Sequence, residues 1–315
     1  MSRRSWILLG LLASLWGASY LFIKLALEDL SPAMVVFART ALAALVMLPV
    51  AIGREALRGL RGRLTAVGVL ASIQIAAPFM LISIGEQEIS SSLTGILVAS
   101  APIFTALLAI WVDHEERSHG LSLVGIAIGI AGVVLLLGLD VGGSGAALVG
   151  GLLVVLAALG YAVGAFYLKR RLADLQPVGV VTAAMVASAA LVAPFAIVSA
   201  PSAVPGLQAS ASIVALGVLG TGVAFVIFYT LIGTVGPAKA SLVAYVAPGF
   251  AVIYGVTLLG ERFTGATLAG LALILAGSWL AAEGRLPRRR PGISSKRSPM
   301  VDRHSALPGP SKEAA

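Results

Sequence analysis

ERFTGATLAGLALILAG, which runs from Glu261 to Gly277, has a near-copy earlier in the chain. The earlier copy is ERSHGLSLVGIAIGIAG, from Glu116 to Gly132, and it begins 145 residues before the later one. Both copies follow the pattern E-R-x-x-G-x4-G-x6-G. A long segment that recurs at this distance indicates that the chain consists of two related halves.

The composition around these copies is that of a membrane protein. Hydrophobic residues make up 58% of the 315 residues, charged residues only 11%, and the mean hydropathy is +0.99. Soluble domains contain about 25% charged residues. The chain is divided into apolar runs of about 20 residues, the length that an α-helix needs to cross a hydrocarbon core of about 30 Å. These features predict an all-α integral membrane protein.

The apolar runs number about ten and predict ten transmembrane helices. Their approximate bounds are 6–27, 33–52, 64–84, 93–112, 121–139, 147–168, 178–199, 211–232, 240–259 and 266–282. The first run follows Arg3 and Arg4 and therefore also resembles a cleaved signal peptide. The repeat gives this run a counterpart in the second half, which favours a retained helix.

Lysine and arginine are distributed unevenly between the loops, and this asymmetry predicts the orientation. With the amino terminus inside, the cytoplasmic segments contain the arginines of residues 54–63 and the basic triplet 169–171. The opposite loops 85–92, 140–146 and 200–210 contain neither residue type. Both termini are therefore expected in the cytoplasm. The net charge of +8 is explained by orientation and does not require a nucleic-acid partner.

The 145-residue offset extends beyond the two copies. It aligns residue types that are scarce in this chain, namely Lys24 with Lys169, Asp29 with Asp174, Pro32 with Pro177, and Pro49 with Pro194. Pro102 pairs best with Pro248, at an offset of 146, which a small loop insertion explains. The repeat therefore covers most of both halves.

Each half contains five predicted helices, and an odd number places the second half upside down in the membrane. The predicted fold is two inverted five-helix repeats, residues 1–139 and 147–282, followed by a basic, disordered cytoplasmic tail at 283–315. Many secondary transporters contain such repeats, with a midplane site that opens to one side and then to the other. Alternating access is the mechanism that this symmetry predicts.

The order of these features resembles the drug/metabolite transporter superfamily, EamA type. The first half contains LWGASYLFIKLALEDLSPAMVVFAR at 15–39, then Pro102 and the Glu-Arg and glycine pattern, and the second half returns to the same order with Pro248. The resemblance covers about 6–282. It implies a ten-helix transporter of small metabolites, often an exporter, and supplies no particular substrate.

The chain departs from the repeat at two informative places. Tyr161 and Ala162 stand opposite Trp16 and Gly17, and Ala184 stands opposite Arg39. Arg39 therefore has no basic counterpart in the second half.

Arg39 is the most informative candidate for a functional site. A charged side chain at the centre of a membrane helix costs at least about 2.5–3.5 kcal/mol, so it should face a cavity or a partner. We expect a contact with an anion or carboxylate, or a gating ion pair with Glu86 or Glu88; the alternative is a side chain that snorkels to the interface. Lys24 and Lys169, at the ends of the first and sixth helices, are either interfacial anchors or gating residues.

Proline positions and polar side chains inside the runs supply the other candidates. Pro102 and Pro248 fall near the middle of matching runs, where an interrupted helix indicates a transport site or an ordinary kink. Polar-tipped side chains should point inward or lie at the interface, and those in question are Trp16, Tyr20, Gln74, Tyr161, Tyr229 and Tyr245. The spaced glycines are expected to allow close helix packing, and both Glu-Arg pairs are expected to cap helix ends.

Several kinds of chemistry are not predicted. No carboxylate falls deep in any run, and acids such as Glu86 and Glu88 fall at loop edges, so proton coupling would have to use acids at the rim. No metal site, cofactor motif or nucleophile–base pair is recognisable, which disfavours an enzyme.

The sequence therefore predicts a secondary transporter that moves a small metabolite, amino-acid-like compound or drug across the cytoplasmic membrane by alternating access. Export is the expected direction. The alternatives are a channel and a membrane protein that does not transport. The expected partners are a small-molecule substrate and membrane lipids, and a homodimer remains open.

Overall fold

The computed structural model describes residues 1–112, 120–139 and 144–283. Its α-helices are, in chain order, α1 (Arg3–Ala26), α2 (Pro32–Gly53), α3 (Leu64–Leu70), α4 (Ala77–Glu88), α5 (Ser91–Val98), α6 (Ala101–Val112), α7 (Leu121–Leu139), α8 (Gly145–Arg171), α9 (Pro177–Val198), α10 (Leu207–Ala215), α11 (Ala224–Val235), α12 (Pro237–Ala240), α13 (Val243–Leu258) and α14 (Gly265–Glu283). The predictions for Glu116, Arg117 and the basic tail lie outside the described residues.

Ten helical spans within the described ranges are long and apolar enough to cross a membrane, as the sequence predicted. Six of them are single helices, namely α1, α2, α7, α8, α9 and α14. The composite spans are Leu60–Glu88, Ser91–Trp111, Leu207–Val235 and Pro237–Leu258. The protein is therefore an all-α, multi-pass membrane protein.

Serine residues cap the start of several spans, and in α2 a proline follows in the first turn. The Oγ of Ser31 accepts from the backbone N–H of Met34, and Pro32 is the first residue of α2. Ser90 caps α5 in the same way through the N–H of Leu93. A side-chain oxygen at this position satisfies one of the amide groups that have no partner within the helix.

The third span is longer than the sequence indicated. The prediction ended this helix near residue 84, but α4 continues to Glu88. Gly85 lets α8 pack closely against this end of α4, because a Cβ there would meet the Gly150 carbonyl and the Val154 side chain of α8. Glu86 therefore packs inside the bundle, whereas Gln87 and Glu88 are exposed. The expectation that Glu86 lies at a loop edge is wrong.

The two halves are inverted relative to each other, as the packing of equivalent helices shows. Along the contact between α7 and α14, a Cβ on Gly125 would meet Ala281, a Cβ on Gly277 would meet Gly129, and a Cβ on Gly132 would meet Ile274. Residue numbers rise on one helix as they fall on the other, so the helices are antiparallel. These glycines allow the two backbones to approach closely, as predicted.

A second pair of equivalent helices gives the same result. Near one end of α2, Ser31 Oγ and Ser199 Oγ lie 2.7 Å apart, just past the end of α9. Near the other end, a Cβ on Gly179 of α9 would overlap the carbonyl of Ala56. Helices at the same position in the two halves therefore run in opposite directions, which is the geometry of an inverted repeat.

Candidate functional site

Arg39 lies in the interior of the bundle, at a contact between the two halves. Its side chain is 8% exposed, its Nε donates a hydrogen bond to Thr221 Oγ1 over 2.8 Å, and its Cζ lies 3.7 Å from the ring centroid of Phe79. The snorkelling alternative is therefore wrong. The expected ion pair with Glu86 or Glu88 is not formed within the described part of the chain.

Thr221 belongs to a π-helical segment, Leu216–Val223, in the eighth span. Its hydroxyl donates to the carbonyl of Leu216 over 2.9 Å, five residues earlier, and accepts from Arg39. Gly217 brings this segment against α2, because a Cβ there would meet the side chain of Leu42. Single π-helical turns are frequent at functional sites.

The same feature occurs in the first half. A π-helical segment, Ala71–Ala76, lies in the third span and begins 145 residues before the segment at Leu216. It contains Gln74, whose side-chain carbons a Cβ on Gly164 of α8 would overlap. The side chain of Gln74 is therefore partly buried and packed against α8 of the second half, which favours the inward orientation of the two that the sequence left open.

Two tyrosines complete a group that we call the Arg39 cluster, formed by Tyr20, Arg39, Phe79, Tyr161 and Thr221. The phenols of Tyr20 and Tyr161 are close enough to interact electrostatically with the guanidinium. The ring of Tyr20 also packs against α5, since a Cβ on Gly95 would meet it at 3.1 Å. Phe79 and Tyr161 belong to the same hydrophobic core region. The cluster thus combines one buried cation, three aromatic rings, two of which are phenols, and the hydroxyl of Thr221, from five spans.

Aromatic side chains extend this cluster along α1 and α11. The ring of Trp16, one helical turn before Tyr20, lies 6.1 Å from that of Phe225 and 5.2 Å from that of Phe228. The ring of Tyr229 lies 6.2 Å from Phe225 and 5.6 Å from Phe228. We call these four residues the aromatic cluster. Two of its members were predicted from sequence, Trp16 and Tyr229.

The two prolines are not equivalent, in contrast to the repeat. Pro102 is the second residue of α6, directly after a break in the fourth span at Ala99 and Ser100. Pro248 lies inside the continuous helix α13, so the expectation of an interrupted helix at both prolines is wrong for the second half. The carbonyl of Ala99 is satisfied by Ser278 Oγ of α14 over 3.0 Å.

Tyr245 of α13 lies against α14. Its hydroxyl donates to the carbonyl of Ser278 over 3.5 Å, so it contributes to the contact between α13 and α14. The structure therefore groups Tyr20, Arg39 and Tyr161 directly and adds Trp16 and Tyr229 beside them. It places Tyr245 and the break before Pro102 at a contact with α14.

Lys24 connects the end of α1 to the connection between α4 and α5. Its Nζ donates to the carbonyl of Glu86 over 2.6 Å and to that of Ile89 over 2.9 Å. A cation at the carboxyl end of a helix is favourable because the last carbonyls there have no partner within the helix. The ammonium is thus directed into the bundle and not towards lipid headgroups, whereas Lys169 is exposed at the end of α8.

Glu261 joins two helices at the end of the bundle where Lys24 lies. Its carboxylate accepts from the backbone N–H of Ser91 over 2.7 Å, from that of Ser92 over 2.9 Å, and from the Ser92 hydroxyl. The sequence predicted a capping role, and the carboxylate does cap a helix. The helix that it caps is α5 of the other half, however, whereas Thr264 accepts from the N–H of Thr267 at the start of α14.

Two residues of this region could not be recognised from sequence, and the burial of a third was missed. Phe79 and Thr221 resemble ordinary residues of an apolar run, and only their contact with Arg39 distinguishes them. Glu86 was recognised as an acid near a loop but is fully buried. No group of three or more His, Cys, Asp or Glu side chains that could hold a metal ion occurs among the described residues.

One known protein family matches each of the two halves of the chain. The profile of the EamA-like transporter family matches residues 4–138 and again 148–282. The chain is 28% identical to the uncharacterized inner membrane transporter YedA of Escherichia coli K12, over 86% of this chain and 88% of that protein. A solved crystal structure superposes with a TM-score of 0.63 at 23% identity, over 89% of this chain and 97% of that one, which shows the shared fold.

Two further relatives have names that specify a cargo. The chain is 26% identical to a probable amino-acid metabolite efflux pump of Escherichia coli K12, over 94% of this chain and 100% of that protein. It is 28% identical to a probable terminal-alkyne amino-acid exporter of Streptantibioticus cattleyicolor, over 92% of this chain and 97% of that protein.

Proposed function

The chain belongs to the EamA-like transporter family, and from that premise we propose that it exports a small amino-acid-like metabolite or drug as a secondary transporter. The observation that supports this cargo class most directly is the buried guanidinium of Arg39. Membrane transport follows from the family, whereas the cargo, the direction and the mechanism are the proposal.

The chemistry of Arg39 suits a carboxylate. A guanidinium presents several N–H donors in one plane and binds a carboxylate through two parallel hydrogen bonds. The bond to Thr221 uses Nε, so the terminal nitrogens are the donors that a substrate carboxylate would take. The low polarity around Phe79 strengthens such a bond.

The aromatic cluster suits the remainder of an organic molecule. Trp16 and Tyr229 offer ring faces beside the Arg39 cluster, and aromatic faces attract both apolar groups and cations such as an amino group. The two relatives named for amino-acid export agree with a cargo that combines a carboxylate and an amino group.

Alternating access is the mechanism that we propose for movement of this cargo. The Arg39 cluster contains residues from both halves, so a rearrangement of one half against the other changes the surroundings of the guanidinium. In the described structure Lys24 and Glu261 join helices at one end of the bundle. From the distribution of Lys and Arg we propose that this end lies outside the cell and that both termini lie in the cytoplasm.

Metabolite profiling of the medium tests this function. We expect cells that produce the native chain to release a small set of amino-acid-like compounds. With Arg39→Gln at equal membrane abundance, the release rate should fall roughly 10- to 100-fold, because a hydrogen bond to a charged group is lost. The control is Arg54→Gln, which removes an exposed arginine at the end of the same helix and should release as much as the native chain.

Two outcomes would contradict the proposal in different ways. Equal release by Arg39→Gln and the native chain would show that Arg39 does not bind the cargo. Equal media from producing and non-producing cells would exclude export of the measured compounds.

A further inference from the structure

Glu86 is a buried acid without a partner. Its side chain is 0% exposed, and neither carboxyl oxygen has a hydrogen-bond partner among the described residues. Nearby acids behave as acids in proteins usually do, since Glu88 is exposed and Glu261 accepts three hydrogen bonds. Buried polar groups are nearly always paired, so an orphan such as Glu86 requires an explanation.

The charged and titratable groups around Glu86 come from several elements. α1 contributes Lys24 and Tyr20, α2 contributes Arg39, and the connection before α14 contributes Glu261; all four interact electrostatically with the carboxyl group. From α8, Tyr161 faces Tyr20 and Arg39.

The two cations in this set do not pair with the carboxyl group. Lys24 donates to the main-chain carbonyls of Glu86 and Ile89, and Arg39 donates to Thr221. No ion pair joins either cation to Glu86 in the described ranges.

This arrangement fits a neutral carboxylic acid. An ionised carboxylate without hydrogen bonds is strongly disfavoured away from water, whereas the protonated form carries no charge to solvate. A metal cation is a poor alternative ligand, because Lys24 and Arg39 already place two positive charges nearby. The ligand that this site fits is therefore a proton.

We propose that Glu86 is the proton-binding site that couples transport to proton movement, and that Lys24 converts its charge into opening of the adjacent end of the bundle. With Glu86 protonated, Lys24 is free to hold the α4–α5 connection through the two carbonyls. Loss of the proton creates a carboxylate beside that ammonium. The ammonium then leaves the carbonyl of Ile89 to pair with the carboxylate, which releases the tie between α1 and the start of α5.

This inference rests on the proposed transport function for its purpose, but its test requires no substrate. Infrared spectra of the purified full chain in lipid vesicles report protonated carboxyl groups directly. At neutral pH we expect a protonated-carboxyl absorption in the native chain and in Glu88→Gln, and its loss in Glu86→Gln. Because glutamine has the shape of protonated glutamic acid, the variant is expected to fold.

A second measurement tests the link to opening. The native chain contains no cysteine, so Ile89→Cys introduces a single thiol at the tie, where Ile89 is 5% exposed. Alkylation of this thiol by a maleimide is measured against pH in three backgrounds: otherwise native, Glu86→Gln and Glu88→Gln. We expect alkylation to rise more steeply with pH in the native and Glu88→Gln backgrounds than in Glu86→Gln, which shows only the ionisation of the thiol itself.

Each measurement has an outcome that overturns the inference. Equal protonated-carboxyl absorption in the native chain and in Glu86→Gln would mean that Glu86 is ionised at neutral pH. Identical pH profiles of alkylation in all three backgrounds would mean that its proton does not control the tie. Neither outcome depends on the metabolite profiling that tests export.

Discussion

The burial of Arg39 is energetically reasonable because of two specific contacts. A charge at the centre of a membrane helix costs at least about 2.5–3.5 kcal/mol. A hydrogen bond to a charged group contributes about 1.5–3 kcal/mol, and a desolvated cation–π contact about 2 kcal/mol. Thr221 and Phe79 supply these two contacts. Among the described residues the guanidinium is thus held in place without an ion pair to an acid. Its positive charge is what the proposed anionic cargo requires.

Glu261 gives a prediction about stability at a single side chain. Its carboxylate caps α5 from the other half of the chain, so Glu261→Gln removes the charge and one of the two acceptor oxygens. We expect a loss of about 1–2 kcal/mol in the free energy of unfolding, as for other lost helix caps. Thermal unfolding in detergent measures the change. Arg262→Gln, at the exposed neighbouring residue, is the matched control, and an equal effect of both substitutions would refute the capping role.

Two of the membrane-spanning helices contain an irregular, π-helical segment. The π-helical segments of the third and eighth spans begin at residues related by the 145-residue offset, and each places a polar side chain at a contact between the two halves. The first is Gln74 and the second is Thr221. The wider turn redirects a side chain without ending the helix. The two halves therefore share a local distortion, although the polar residues within it differ.

The contact between α7 and α14 gives a prediction about helix packing. A Cβ at Gly277 would overlap the backbone of Gly129, whereas a Cβ at Gly138 of α7 would meet nothing within 4 Å. We expect Gly277→Ala to destabilise the protein by about 1–3 kcal/mol through overpacking. Gly138→Ala should be neutral or stabilising, because alanine favours helices over glycine by about 1 kcal/mol. Thermal unfolding measures the stability of both variants, and equal melting temperatures would contradict the packing argument.

The inverted arrangement of the two halves relates the two faces of the membrane protein, and differences in sequence between the halves make these faces unequal. Equivalent helices are antiparallel, so equivalent residues lie on opposite sides. The halves differ where function is proposed, since Arg39 faces Thr221 and has Ala184 as its own counterpart. An inverted repeat with one charged site can present that site to either side while the overall architecture remains the same.

Thiol labelling of intact cells tests the orientation directly. Asp29 and Asp174 are equivalent exposed residues of the two halves, and the chain has no native cysteine. We expect Asp29→Cys to react with a membrane-impermeant maleimide in intact cells, and Asp174→Cys to react only after the cells are permeabilised. Labelling of both residues from the same side would contradict the inverted orientation, and the reverse pattern would place the amino terminus outside.

Hydropathy and the repeat were sufficient to predict ten spans, two halves and their inversion, because each depends on the composition of local segments and on an odd helix count. They also indicated Arg39, since one charge in an apolar run is conspicuous. What the sequence could not provide were the partners of these residues. Thr221 is 182 residues from Arg39, and Ile89 is 65 residues from Lys24.

The buried state of Glu86 was likewise decided by packing. Local polarity after residue 84 indicated a loop, but α4 continues to Glu88 and packs closely against α8 at Gly85, and the carboxyl group of Glu86 is buried. The difference between Pro102 and Pro248 arose in the same way, because the surroundings of each helix determine whether a proline interrupts it. Hydrophobic pattern is a local property, whereas burial and pairing depend on residues that only the folded chain brings together.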